Sequence, residues 1–308
     1  MSSKRKSYTN GAKILTKIRE AAYHSRFYSN GADDFVRHRT KVMEDLADTL
    51  RRRHQLVLTG LDVLDVGTGQ QQVQSVWLAR NNRVTGIDLD VVAKGWSPAV
   101  YLGMWRRNGP GRVLKTLGRK ALGIDARFRA ALRRQLAHTA DGLPVLQMDV
   151  TQLGFAEESF DFVYCSSVLQ CVPDVGRALY EMNRVLRRGG VGYFTVQLFS
   201  SETGSLDPRL FGNNRDEIPH WAHLRPDWAH LVSGEAWLNR LRLADWRQQV
   251  AAHLPDPTID LGQPQAEKLI PLAEQLKRAG ELADYSMEEL ITHDLKASWR
   301  KPQAQDPR

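Results

Sequence analysis

"LDVLDVGTGQQQVQS", residues 61–75, is an apolar run that ends on an acid and enters a glycine turn. Leu61 to Val66 has the nearly continuous apolar character of a strand buried on both faces. Gly67 and Gly69 permit a tight turn and a close approach of backbone to a ligand. Val73, Val76, Trp77 and Leu78 then fall at helical spacing and predict a helix over 71–81. A cofactor loop and an ordinary strand–turn–helix joint share all of this. The dinucleotide fingerprint asks for one more glycine, at position 72. This chain has Gln72 there, so that reading fails where the helix should approach the sheet.

The next acid narrows the choice. "RVTGID", 83–88, reads as a second strand, and it ends on Asp88. A carboxylate at that place can accept hydrogen bonds from both hydroxyls of a ribose. Further strands are predicted at 144–149, 161–167 and 191–197, with an amphipathic helix over 174–186 that "RRGG" should stop. Strands alternating with helices imply a parallel sheet covered on both faces, a doubly wound α/β fold. Beyond it, a helix is predicted at 243–254, a strand at 258–261, a helix near 264–279 and a final strand at 292–302. Ahead of it, helices are predicted at 12–23 and 33–52.

Two segments interrupt the alternation. Residues 91–142 form a basic insertion with helices expected near 112–122 and 126–138. Within 91–140, eleven Lys and Arg face Asp125 alone, so this segment carries more than the chain's whole surplus of +8. Val113, Leu114 and Leu117, then Phe128, Leu132 and Leu136, are expected to pack inward. Residues 199–240 are rich in Trp, His, Pro and Gly and read as a lid-like insertion. The organisation expected is therefore a basic tail and helical cap over 1–55, a catalytic domain over 56–302, and a tail over 303–308.

Composition excludes some classes. No apolar run reaches the ~20 residues of a membrane-spanning helix, and no apolar segment follows the basic N-terminus as in a secretory signal. Cys165 and Cys171 are the only cysteines. They offer no disulfide framework and suit a reducing, cytoplasmic setting.

In order along the chain, these motifs resemble the class I S-adenosylmethionine-dependent methyltransferases. The acid–x–Gly–x–Gly loop matches Asp65, Gly67 and Gly69. The acid closing strand two matches Asp88, and Asp149 in "LQMDVTQLGF" stands where the family places an acid against the adenine amino group. "SFDFVYCSSVLQCVPD" (159–174) and "EMNRVLRRGGVGYFTV" (181–196) resemble the fourth strand with its turn, and the helix, Gly-Gly turn and fifth strand. The resemblance covers about 60–198, and more loosely 241–302. It implies a Rossmann-like sheet of seven strands with an antiparallel last strand, and S-adenosyl-L-methionine as cofactor. It also implies roles: Asp65 orients the methionine ammonium, Leu89 packs on the adenine, Val150 offers its N–H to the ring, and Ser166 lies at the methionine end. This cofactor has no diphosphate, so a third glycine is not needed.

The departures matter equally. Gln71 stands where the family often has a small residue. Gln170 and Cys171 stand where many small-molecule members carry histidine. Ser166, Ser167, Val168 and Leu169 replace the Asp/Asn-Pro-Pro-aromatic signature of the amino-methylating branches. A base is needed only if the acceptor loses a proton as it attacks. His220 and His223, in "EIPHWAHLRPDWAH", are the candidates, and no pattern there calls for a metal. The acceptor expected is an oxygen of a small molecule or glycan, and the basic insertion favours an anionic one. "AWLNRLRLADWRQQV" (236–250) is also similar to methyltransferases of bacterial surface-polysaccharide synthesis. A nucleic-acid methyltransferase and a non-catalytic partner protein with this fold are the alternatives. A membrane-surface role for the insertion conflicts with the expectation that its apolar faces serve the core.

Overall fold

The computed structural model describes residues 31–93, 95–211, 217–232 and 237–303. The helix expected at 12–23 lies outside the described residues. Helix α1 spans Ala32–His54, with Asp33 and Asp34 in its first turn and Arg51, Arg52 and Arg53 in its last, charges that suit the helix dipole. The alternation follows as β1 (Asp62–Val66), α2 (Val73–Ala79) and β2 (Arg83–Asp88). The basic insertion holds α3 (Pro98–Asn108), α4 (Pro110–Ala121) and α5 (Ile124–Leu136). Then come β3 (Val145–Gln147), β4 (Phe160–Ser166), α6 (Val175–Val185) and β5 (Leu186–Gln197). The chain continues through α7 (Leu243–His253), β6 (Thr258–Gly262), α8 (Ala266–Arg278), α9 (Met287–Ile291) and β7 (Asp294–Arg300).

One seven-stranded sheet results, in the order β3-β2-β1-β4-β5-β7-β6. β1 pairs in parallel with β2 on one side and β4 on the other, and β2 in parallel with β3. β6 and β7 are antiparallel, with Thr258 opposite Ser298 and Gly262 opposite Asp294. The doubly wound sheet expected from the sequence is thus present, with its last strands antiparallel. The winding reverses at β1, because β2 and β3 lie on one side of it and β4 on the other. Ligands of open α/β sheets bind at the carboxyl ends of strands beside such a reversal.

The residues divide into two compact units. The first takes the described residues of His24–Cys165, Arg177–Tyr193 and Trp299–Arg308. Its core holds two clusters. Met43, Leu46 and Leu50 of α1 meet Val63, Leu78, Val84, Phe162 and Tyr164. Ala32 and Val36 meet Val73 and Val76 of α2 and Ile124, Phe128, Leu132 and Leu136 of α5. The second unit takes Ser166–Gly176 and Phe194–Ser298. Trp221 packs there among Leu269, Ala273, Leu282 and Leu290, while Phe194 and Trp246 meet at 6.3 Å between ring centroids.

Three expectations are corrected. "RRGG" does not stop a helix. α6 ends at Val185 and β5 begins at Leu186, so Arg187 to Gly190 are strand. The downstream Gly192 admits the Trp299 indole, which a Cβ would overlap. Leu114 does not pack inward: it is 73% exposed, while Phe128, Leu132 and Leu136 of the next helix are buried as expected. Finally, the insertion has three helices, because Pro98 and Pro110 each open one and Gly109 separates them.

Candidate functional site

β1 ends at Val66 and the chain turns through Gly67 (φ +75°) and Gly69 (φ +63°). Those left-handed angles are why glycine stands at both places. The turn is tied to β2: the N–H groups of Gly67 and Thr68 both donate to the Ile87 carbonyl, at 2.8 and 3.1 Å. Close approach is possible because β2 contributes Gly86, whose absent Cβ would overlap the Thr68 methyl. Gln72, at the position of the dinucleotide fingerprint's third glycine, is buried and left-handed (φ +52°) at the start of α2, and its Oε1 has no hydrogen-bond partner.

Asp88, the last residue of β2, closes the turn. Its Oδ2 accepts the Gly69 N–H at 2.9 Å and its Oδ1 accepts the Asp90 N–H at 2.8 Å. A carboxylate has about four acceptor positions, so these bonds orient it without exhausting it. Burial raises its pKa, against the two N–H donors that lower it. Asp65 is buried more deeply. It accepts the Ser75 hydroxyl, and burial pushes its carboxyl up to about 7, with Ser75 opposing and the Asp88 charge adding to the rise. A buried acid this costly to ionise fits a position that receives a cation.

Asp149 lies two residues past β3. Its Oδ1 accepts both the backbone N–H (3.0 Å) and the hydroxyl (2.8 Å) of Thr151, a local turn that fixes the carboxylate. Val150 beside it is buried. Leu89 follows Asp88, and its carbonyl accepts Gln147 Nε2 at 3.0 Å. Thus Asp65, Gly67, Gly69, Asp88, Leu89, Asp149 and Val150 gather at the carboxyl ends of β1, β2 and β3 in one unit. Ser166 ends β4 and belongs to the other unit.

The basic insertion grips this loop region. Asn108 Nδ2 donates to Asp90 Oδ1 at 2.8 Å, and Arg112 pairs with Asp90 Oδ2 at 2.8 Å. Arg119 pairs with Asp125 at 2.5 Å and donates to Gln70 Oε1 at 3.1 Å. Arg107 donates to Gln147 Oε1 at 2.6 Å. Arg112 and Arg119 are therefore matched by acids. An anionic acceptor finds less uncompensated positive charge beside the loop than the sequence suggests.

The two histidines have different surroundings. His220 Nδ1 lies 2.9 Å from Oε1 of Glu202, a carboxylate that is buried while the imidazole is partly exposed. Several contacts fix this pair. Arg225, paired with Glu281 at 2.6 Å, donates to the His220 carbonyl at 3.2 Å, and Trp221 is fully buried. Gln197 holds the Glu202 turn by donating to Thr203 at 2.6 and 2.9 Å. His223 Nε2 instead donates to the Phe199 carbonyl at 2.7 Å, and the ring stands edge-on to Phe199 at 5.0 Å. Burial pushes its pKa down to about 4, so the ring is neutral and its donor is spent on backbone. Glu202 escapes sequence reasoning because it stands 18 residues from His220 in a serine-rich turn. Its only signal is a lone acid just past strand five.

Among the described residues, no group of three or more His, Cys, Asp or Glu could hold a metal ion. A cavity of about 570 Å³ lies at the other, amino-terminal end of the strands. Asp62, Arg83 and Pro144 line it, and its charged residues are committed to each other, with Arg83 on Asp62 at 2.6 Å.

A family model described as a methyltransferase domain matches residues 108–194. Over 91 residues the chain is 33% identical to phthiotriol/phenolphthiotriol dimycocerosates methyltransferase 1 of Mycobacterium ulcerans, covering 30% of this chain and 34% of that protein. Over 113 residues it is 28% identical to demethylmenaquinone methyltransferase of Bacillus velezensis, covering 37% of this chain and 43% of that protein. The chain thus spans less than half the length of these curated relatives. A solved structure of Haemonchus contortus phosphoethanolamine N-methyltransferase 2 in complex with S-adenosyl-L-methionine is similar at a TM-score of 0.45 and 17% identity, over 84% of this chain and 53% of that one. The segment that matches a methyltransferase domain thus runs from the end of α3 to β5, within the seven-stranded sheet whose β1 leads into the glycine turn closed by Asp88.

Proposed function

We propose that the chain uses S-adenosyl-L-methionine to methylate an oxygen of a small molecule or glycan, with His220 as the base. The observation that carries the cofactor half is Asp88. Its carboxylate is fixed by Gly69 and Asp90 N–H groups and keeps acceptor capacity for the two ribose hydroxyls. The residues fit this group in other respects. The side of Gly69 where a Cβ would stand is open, with nothing within 4 Å, so backbone can lie against a ligand. Asp65, ionised on receiving a cation, orients the methionine ammonium. Asp149 receives the adenine amino group, Leu89 packs on the ring, Val150 donates its N–H to it, and Ser166 serves the methionine end. When bound, the cofactor supplies a methyl group already activated by its sulfonium, so the protein contributes alignment and exclusion of water.

His220 supplies the rest. An alcohol or phenol attacking the methyl group sheds its proton, and a positioned base that accepts it contributes typically ~10²–10⁴-fold. With Nδ1 held by Glu202 at 2.9 Å, Nε2 is the nitrogen that takes the proton, and the buried carboxylate stabilises the imidazolium that forms. His223 is a structural ring and not a second base.

The test is a labelled-methyl transfer assay against fractionated cell extract, with the labelled species identified and turnover then compared among variants at saturating acceptor. A labelled small molecule or glycan, with turnover down ~100-fold in His220→Ala and ~10-fold in Glu202→Gln, supports the reading. Label found in RNA, DNA or protein replaces the acceptor. Cofactor binding without transfer to any fraction favours a non-catalytic partner protein, and full turnover in His220→Ala removes the base.

A further inference from the structure

Helices α3 and α4 leave large apolar side chains on their solvent sides. The inward side of α4 is mixed: Thr116 is its one buried residue, Val113 and Leu117 are half-buried, and Arg112 and Arg119 beside them are paired with Asp90 and Asp125. Its outward stripe is Gly111, Leu114, Lys115, Gly118 and Leu122, which fall at helical spacing and are all exposed. α3 behaves alike. Met104 is its one buried residue, and Leu102, Trp105 and Arg106 point to solvent. Trp96, just ahead of α3, is also exposed, with the Lys120 ammonium 5.4 Å from its ring centroid. Relative exposure is 66% for Trp96, 60% for Trp105 and 73% for Leu114. Single exposed apolar residues need no explanation. Here five of the ten large apolar side chains exposed among the described residues fall between positions 96 and 122, on two consecutive helices or directly beside them.

Charge says what covers them. Residues 96–122 contain Arg106, Arg107, Arg112, Lys115, Arg119 and Lys120 and no acid; with Arg112 and Arg119 matched by Asp90 and Asp125, the charge offered outward comes from Arg106 and Arg107, with Lys115 and Lys120 beside them. From Trp, Leu and basic residues at these positions we infer that α3, α4 and Trp96 form a docking surface for an anionic lipid bilayer. Indole rings settle at the headgroup boundary, leucines enter the acyl region, and Lys and Arg meet lipid phosphates. Other occupants fit less well. Nucleic acid uses flat rings for stacking and gives Leu102, Leu114 and Leu122 nothing to stack on. A second copy of the chain pairing through the same face would set these cations against their own images. No helix among the described residues is long and apolar enough to cross a membrane, so the contact proposed is at the surface. It is independent of the acceptor proposed above, because the residues involved lie outside the cofactor loop.

Flotation of the full chain with vesicles tests it. Vesicles of phosphatidylcholine alone are compared with vesicles that also contain phosphatidylglycerol. The expected result is binding to the anionic vesicles only, weakened by salt, with a blue shift of tryptophan emission. The double variant Trp105→Ala, Leu114→Ala should lose ~10-fold or more in partitioning, and Arg106→Glu with Lys115→Glu should lose a similar amount. All four residues are exposed, and the urea midpoint of each variant checks that the fold is kept. Val57→Ala, at an exposed apolar residue elsewhere, should bind as the parent does. Absent binding, binding unaffected by both double variants, or loss of a self-associated species or of RNA binding without any vesicle binding would each overturn the inference.

Discussion

Asp65→Asn should make the ligand-free protein more stable and a worse binder. Burial holds the Asp65 carboxyl at about 7 against an ordinary 3.8. A folded pKa above the unfolded one means the native state binds the extra proton. The stability this gives is fully present below the unfolded value and is lost as pH rises through the folded one. The rise from 3.8 to about 7 corresponds to about 4 kcal/mol between those limits, and the part falling between about pH 5.5 and about pH 8.5 is about 2 kcal/mol. Urea unfolding of ligand-free protein at those two pH values, followed by circular dichroism, should show the parent losing roughly that amount to Asp65. In Asp65→Asn the decline should shrink by about 2 kcal/mol, because an amide satisfies Ser75 without titrating. S-adenosylhomocysteine, which carries the methionine ammonium, should bind the variant more weakly. Binding to the parent near pH 6 should release a proton, visible as a dependence of the calorimetric enthalpy on the buffer. The same pH-dependent loss in parent and variant would refute the assignment of the titrating group.

The remaining predictions concern the supports of the site. Gly86→Ala should cost ~1–3 kcal/mol by driving a Cβ into the Thr68 methyl, and Thr68→Ser, which deletes that methyl, should recover a substantial share; urea midpoints of the two single variants and the double variant read the coupling. His223, held near 4 against an ordinary 6.5 by burial, contributes stability that is present above 6.5 and lost as pH falls through 4. His223→Gln, which can still donate to the Phe199 carbonyl, should flatten that acid branch of the unfolding curve and leave turnover within about threefold. Unchanged acid sensitivity would show that another group titrates, and a large fall in turnover would return His223 to the list of bases.

The strands were legible because β1 and β4 carry dense apolar runs and β2 closes on Asp88: "RVTGID" opens and closes where the strand does. The candidate cofactor residues were legible for the same reason, since each lies within three positions of a strand's carboxyl end. What escaped depends on contacts distant in sequence. Gly86 looks like an ordinary weak point of a strand until Thr68 is seen against it. Glu202 gains meaning only beside His220. Helix α3 was hidden because its solvent face holds Leu102 and Trp105, so hydrophobic periodicity gives no amphipathic signal. The same inversion put Leu114 in the expected core. α9 is short, but Ser286 and Glu289 form a reciprocal capping box whose Ser-x-x-Glu spacing announces it.

We propose that Asp88 and the glycine turn hold S-adenosyl-L-methionine. Calorimetric titration with S-adenosylhomocysteine, on the parent chain and on Asp88→Ala, tests it most directly. Loss of two hydrogen bonds from ribose hydroxyls to a carboxylate should weaken binding on the order of 100-fold; because the variant also frees the Gly69 and Asp90 N–H groups, the unfolding midpoint of the ligand-free chain is read beside it. Parent protein that does not bind the ligand, or Asp88→Ala that binds it equally well, would contradict the account.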